Sequence, residues 1–307
     1  MSTVNDNPLL VVGGSSDPNL HTLMAAAARQ GLSAYPLLFG ADSHPALTWE
    51  VASGQLLING KPTKANAAFI RHDVFGALEG EEALAQYRAL AWHTALTGWV
   101  SAHPEVRIFN RRNLNQMTNK PLVLHWAKSV GLTVPQTMVS NDFDYLARYE
   151  PERSLIVKPI NGGGFCQDFR EVGRQTALRN NRAAAPAIIQ HRLVAPEVRV
   201  YVVGRQHFAF EVISDELDYR TTQNCRLTLL ESIPESLVSG LRRLLDIMGL
   251  DFAAADFKTH AQSGELVFLE VNTAPMFAAF DKASGGRLCD GMIAHLTALT
   301  NANAKSV

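Results

Sequence analysis

From residue 187 onward, apolar runs follow one another with no helical stretch between them. Residues 187–190, 198–203, 208–213 and 227–230 each read as a strand. Strands at such short intervals pair antiparallel, because a parallel pair needs a crossover long enough to hold a helix. A helix is predicted over 234–248. Two more strands, 252–258 and 266–271, are then joined by the turn signal Gln262-Ser263-Gly264. The C-terminal half is therefore predicted to be an antiparallel sheet.

The first hundred residues have a different grammar. A short apolar run, 9–12, stops at Gly13-Gly14, and a helix over 19–30 stops at Gly31. Residues 35–39 form a second strand. Residues 47–51 and 55–58 flank Ser53-Gly54 as a hairpin, and 67–71 is a further apolar run. A long helix over 81–99 leads to an extended segment at 106–110. The bulky residues Leu84, Tyr87, Trp92, Leu96 and Trp99 cannot all enter one core, so part of this helix is expected to meet a second copy in a homodimer. Helices at 120–130 and from Asn141-Asp142 to Tyr149, an extended piece at 135–140 and a strand at 155–158 complete the middle. There is no internal repeat. The prediction is an α/β (α+β) chain with an N-terminal α/β unit at 1–108, a central unit at 109–188 and a C-terminal unit at 189–307.

The formal net charge of −1 gives no whole-chain attraction to nucleic acid or to an anionic membrane. No apolar run approaches the ~20 residues of a membrane span. Residues 1–8 lack the basic start and apolar core of a signal peptide. Cys166, Cys225 and Cys289 fit no zinc spacing and no disulfide framework, which suits a reducing cytoplasm.

Within the last two strands, Asp256 and Glu270 interrupt apolar sequence. Glu270 and Asn272 are two apart and leave one face, and the hairpin can set Asp256 beside Glu270. Buried like charges repel unless a cation joins them. Hard oxygen donors at a strand end suit Mg²⁺; three solvent-facing polar residues on an edge strand would give the same pattern.

Two more segments bear on chemistry. Lys158 ends a strand just before Asn161, Gly162, Gly163 and Gly164. Glycine backbone can turn its N–H groups toward phosphate oxygens, and lysine adds a point charge for the same anion. A surface turn beside a chance lysine reads alike. Gln190, His191, Arg192 and Leu193 take an apolar strand into a polar bend, followed by Glu197 and Arg199. Such a bend can meet an adenine edge, Leu193 its face, Glu197 the ribose hydroxyls and Arg199 a phosphate; a plain connection between subdomains is the other possibility.

In this order, the pieces resemble the ATP-grasp superfamily, nearest the ribosomal-protein glutamate ligases and the microviridin-type peptide ligases. The likeness is good from Asn110 to the C-terminus and looser before it. It implies two subdomains that clasp ATP, with Lys120 and Lys158 as nucleotide lysines and 161–165 as a mobile phosphate loop. It also implies Gln190 and the backbone through His191 to Leu193 at adenine, and Glu197, seven residues after Gln190, at ribose. Asp256, Glu270 and Asn272 then hold magnesium, two ions in all, with manganese able to substitute. Arg220 resembles an arginine aimed at the acyl-phosphate centre. Arg71 resembles one near the substrate pocket in the peptide-modifying branch, and Arg199 is a further candidate oxyanion donor.

Two departures narrow the choice. D-alanine ligases carry arginine where this chain has Ala254, and the stretch between Lys158 and Gln190 is compact, where the microviridin-type ligases usually hold an extra hairpin for a leader peptide. The resemblance thus implies an ADP-forming carboxylate–amine ligase on an amino acid, peptide or related small molecule. A small-molecule kinase and a peptide-crosslinking ligase are the alternatives.

Overall fold

The computed structural model describes residues 9–76, 82–115, 118–148, 154–160, 165–214 and 225–298. β1 (Leu9–Gly14) is buried at every position, as a strand covered on both faces must be. It lies inside a four-stranded parallel sheet, with β2 (Ala34–Phe39) on one side and β6 (Ala67–Ile70) on the other; β7 (Arg107–Ile108) lies beyond β6. α1 (Pro18–Arg29) links β1 to β2. The Asp17 side chain caps it and Pro18 opens its first turn. The hairpin of β3 (Leu47–Glu50) and β4 (Gln55–Ile58), extended by β5 (Lys61–Pro62), forms a separate small sheet. α2 (Glu82–Ala102) buries Leu96, Trp99 and Val100 but exposes Leu84, Tyr87 and Leu90.

After a 3₁₀ turn at Arg111–Asn113, α3 (Lys120–Ser129) starts at Asn119, whose side chain accepts the Leu122 N–H. The middle sheet contains β8 (Thr137–Asp142), β9 (Leu155–Lys158), β10 (Gln167–Asp168) and β11 (Arg182–His191), in the order β10-β9-β11-β8 and antiparallel throughout. α4 (Phe143–Ala147) and α5 (Phe169–Gln175) cover it. The last sheet holds β12 (Val194–Val203), β13 (Gln206–Ile213), β14 (Arg226–Leu229), β15 (Phe252–Thr259) and β16 (Leu266–Asn272) in the order β14-β13-β12-β15-β16, again antiparallel. α6 (Glu235–Met248) precedes β15, and α7 (Ala278–Ala283) and α8 (Arg287–Thr297) end the described chain.

The strands predicted from 187 onward are all present, but 187–190 belongs to β11 of the middle sheet and not to the C-terminal one. β11 begins earlier than its apolar run because Arg182 and Ala187 both pair with β8 across a register shift. α5, α7 and α8 were not predicted: glycines at 173, 285 and 286 break or bound them, and α5 and α7 are too short to show a period.

One face of the C-terminal sheet, carrying Val198, Val200, Ala255, Phe257 and Val271, packs on α3 and α6. The other face continues into a core shared with β1, α1 and α8, where Val11, Leu23, Phe69, Tyr201, Phe252 and Met292 meet. The middle sheet keeps a small core of its own around Leu146, Leu155, Phe169 and Ile189. No disulfide joins the three cysteines; Cys289 is buried, and burial followed by the Asp281 charge pushes its thiol well up. Among the described residues no helix is long and apolar enough to cross a membrane.

Candidate active site

Strand alternation assembles the site. Asp256 is registered opposite Arg199 of β12 on one side and Glu270 of β16 on the other. Asn272 lies opposite Ala254, and Glu197 opposite Lys258. Glu197, Arg199, Asp256, Lys258, Glu270 and Asn272 therefore share one face, and the apolar residues between those on β12 and β15 fill the core behind it. A register shift follows the Asp256–Glu270 pair: Phe257 is opposite Phe268, so Leu269 is an extra residue on β16. Bulges of this kind bend a strand and re-aim a side chain, here Glu270.

The contacts are charge-assisted. Arg199 grips Asp256 with a two-bond fork, Nε to Oδ1 at 2.6 Å and Nη2 to Oδ2 at 2.8 Å, with both residues buried. Its guanidinium also lies 5.3 Å from the Phe280 ring centre. Asn272 donates from Nδ2 to Asp256 Oδ2 at 3.1 Å. Lys120, at the start of α3, brings Nζ to 3.7 Å from Glu270 Oε2. Lys258 lies 3.1 Å from Glu197 Oε2. Burial raises the Glu197 carboxyl above its ordinary value, and the Asp256 charge adds to this, while Lys258 and Arg199 act against both.

The middle sheet supplies a second, mixed face, on which Ile156 and Ile188 lie among polar residues. Lys158 is opposite Ile188 on β11, and Gln190 is two residues farther on and opposite both Ile156 and Thr137. Lys158, Gln190, Thr137 and Val139 therefore share a face. Gln190 is 1% exposed; its Nε2 donates to Thr137 Oγ1 at 3.0 Å, and its buried Oε1 accepts nothing. A buried amide oxygen without a donor is costly. It is a ready acceptor for an amino group such as that of adenine. His191 is half-buried, and Leu193 is buried at the bend beside a groove of about 600 Å³.

Arg71 occupies a tie between the first sheet and the segment after β16. Its Nε donates to Asp17 at 2.6 Å, its Nη1 to the carbonyls of Ala274 and Pro275 at 3.1 and 2.8 Å, and its Nη2 to Met276 Sδ at 2.9 Å. Asn19 accepts the Phe277 and Ala278 N–H groups, and the Tyr201 hydroxyl donates to the Met276 carbonyl. Arg220 and residues Asn161, Gly162, Gly163 and Gly164 lie outside the described residues.

Three residues of this region were missed from the sequence. Lys258 was discoverable, since it lies two positions after Asp256 on the same strand face. Tyr201 gave no signal among valines. Asn110 sits in a left-handed conformation and clasps Asp251, Phe252 and Thr273 through its side chain and backbone.

No protein-family model matches this sequence, and no curated protein matches it. Solved structures do. The ATP-grasp ligase PsnB, complexed with a minimal precursor, Mg and ADP, superposes with a TM-score of 0.72 at 23% identity, over 96% of this chain and 99% of that one.

The fold is the ATP-grasp fold.

The macrocyclase MdnC of Microcystis aeruginosa MRC, bound with precursor peptide MdnA, gives a TM-score of 0.72 at 15% identity over 94% and 99% of the two chains. VanG D-Ala:D-Ser ligase of Enterococcus faecalis shares the ATP-grasp fold more distantly, with a TM-score of 0.58 at 15% identity over 94% and 99%. Among the described residues no three His, Cys, Asp or Glu side chains converge on a point. Two carboxylates and an amide, with phosphate and water left to complete the shell, are nonetheless a donor set that suits Mg²⁺.

Proposed function

We propose that the protein is an ATP-dependent carboxylate–amine ligase that forms ADP and an amide bond. One observation carries this reading: Asp256 on β15 lies beside Glu270 and Asn272 at the end of β16, with Lys120 and Arg199 placed against the two carboxylates. Adenine is assigned to the Gln190–Leu193 bend, ribose to Glu197 and the phosphates to Lys120 and Lys158. Magnesium held by Asp256, Glu270 and Asn272 would supply positive charge against the β- and γ-phosphates.

A substrate carboxylate attacks the γ-phosphorus, giving an acyl phosphate and ADP; an amine then attacks the acyl carbon and releases phosphate. Arg199 holds Asp256 in place, Asn272 orients its second oxygen, and the segment after Asn272, strapped by Arg71, Asn19 and Tyr201, forms a rigid wall for the acceptor. No residue of the chain need become covalently attached to substrate.

The test is Glu270→Gln. The side chain keeps its shape and loses its charge, so ADP release should fall by about 10²-fold or more while the melting temperature stays put. Unchanged ADP release removes Glu270 from the metal site. Release of ADP and phosphate only when acid and amine are both present separates a ligase from a kinase.

A further inference from the structure

In the first sheet, β1 connects through α1 to β2 on one side, and β6 lies on the other. Open α/β sheets bind ligands beyond the carboxyl ends of strands at such a reversal. Here that crevice lies between the turn after β1, at 14–17, and residues 71–76 after β6, facing the 274–276 segment that Arg71 holds.

Asp73 stands in it, 7% exposed. Its Oδ1 accepts the Phe75 and Gly76 N–H groups at 2.9 and 3.0 Å. Its Oδ2 accepts no hydrogen bond, and among the described residues no cation pairs with the carboxylate. Two glycines make room for it. A Cβ on Gly14 would lie 2.3 Å from Oδ1 and one on Gly76 would lie 2.5 Å from Oδ2. Neither glycine has a positive φ, so close approach of the carboxylate, not backbone strain, accounts for both.

Arg88 of α2 faces the same place. Its Nη2 is 3.3 Å from where a Gly76 Cβ would sit, and its buried Nε donates to nothing. It too has no ion-pair partner among the described residues. Two opposite charges thus stand on the side of Gly76 where a Cβ would sit, without closing into a salt bridge. Uncompensated charges in a sheltered site are expensive, and a ligand bearing both complementary charges would satisfy the pair. Arg71, by contrast, is already committed to Asp17 and to the 274–276 segment.

We propose that Asp73 and Arg88 receive the zwitterionic head of a free α-amino acid, its ammonium on Asp73 Oδ2 and its carboxylate on the Arg88 guanidinium. This rests on the ligase reading and names its amine substrate. An amine within a peptide chain would bring the cation alone and leave Arg88 unmatched.

The experiment is calorimetric titration of the whole protein, first with Mg-AMP-PNP and then with each standard amino acid. The tightest binder is repeated as its amide, which lacks the anion, and as its des-amino acid, which lacks the cation. Asp73→Asn keeps an oxygen for both turn N–H groups and should weaken the amino acid and its amide by about 10-fold to 100-fold, the scale of a charged hydrogen bond. Arg88→Gln should weaken the amino acid and the des-amino acid by a similar factor. Nucleotide affinity should not move in either variant. Loss of AMP-PNP binding in the unaltered protein would be a failure of the nucleotide reading. Intact AMP-PNP binding with no saturable amino-acid binding, or amino-acid affinities equal in all three proteins, overturns the receptor alone.

Discussion

Asp256 shows how this chain places a carboxylate inside a sheet. Arg199 meets it with two short bonds, and Asn272 donates to its second oxygen. Removing one member of such a buried pair costs about 3–5 kcal/mol, because the other charge is stranded. Arg199→Ala should therefore lower unfolding free energy by that order in nucleotide-free protein, and Arg199→Ala with Asp256→Ala should recover a large part of it. Denaturant titration of the single and double variants checks this; equal losses in both would mean that Arg199 acts through packing on Phe280. A second prediction concerns His93. Burial, and then the neighbouring His72, lowers its pKa from 6.5 to about 4. The unfolded chain takes up the proton at 6.5 and the folded one does not until about 4, so stability is full above pH 6.5 and declines as pH falls through this window. His93 is half-buried, so with solvent screening the loss should be on the order of 1–2 kcal/mol. His93→Leu should flatten the slope of melting temperature between those pH values. Asp251, held below its ordinary 3.8 by His295 and Asn110 against the opposing effect of burial, loses its contribution only at lower pH.

At the scale of elements, alternation was the legible signal. Glu270 and Asn272 two apart, and the turn at Gln262-Ser263-Gly264, were enough to place Asp256 beside Glu270. The bulge at Leu269 was invisible, because an extra residue in an apolar run leaves the run apolar. The partners of the arginines were equally hidden. Nothing local in Arg71 announces Asp17 and three residues of a segment two hundred positions away, and nothing in Arg199 announces that its fork closes on Asp256. Tertiary pairing decides such contacts. The middle sheet rests on a small core of its own, while α3 packs on the C-terminal sheet. We expect Mg-AMP-PNP to slow hydrogen exchange in β9 and β11, which carry Lys158 and Gln190, and to leave β1 and β6 unchanged. Equal protection across all three sheets would show that the nucleotide stiffens the whole chain.

Across the molecule, the first and last sheets are joined more closely than either is to the middle one. Their common core includes Leu9, Phe69 and Phe109 from the first hundred or so residues and Tyr201, Phe252 and Phe277 from residue 201 onward. Asn110 fastens the same seam by hydrogen bonds. Asn110→Ala should cost about 1–3 kcal/mol through the donors and carbonyls it leaves unmet, a loss readable as a lower urea midpoint. The seam has a consequence for exchanging parts among proteins of this shape. The Phe69 ring centre lies 6.3 Å from that of Phe109, 6.3 Å from that of Phe252 and 5.9 Å from that of Phe277. A chimera cut near residue 108 would take Phe69 from one parent and the three rings it meets, Phe109, Phe252 and Phe277, from the other. A graft at 136 and 192, around the middle sheet, would cut no ring contact of the seam, so recombined chains with crossovers there should fold where those cut at 108 aggregate.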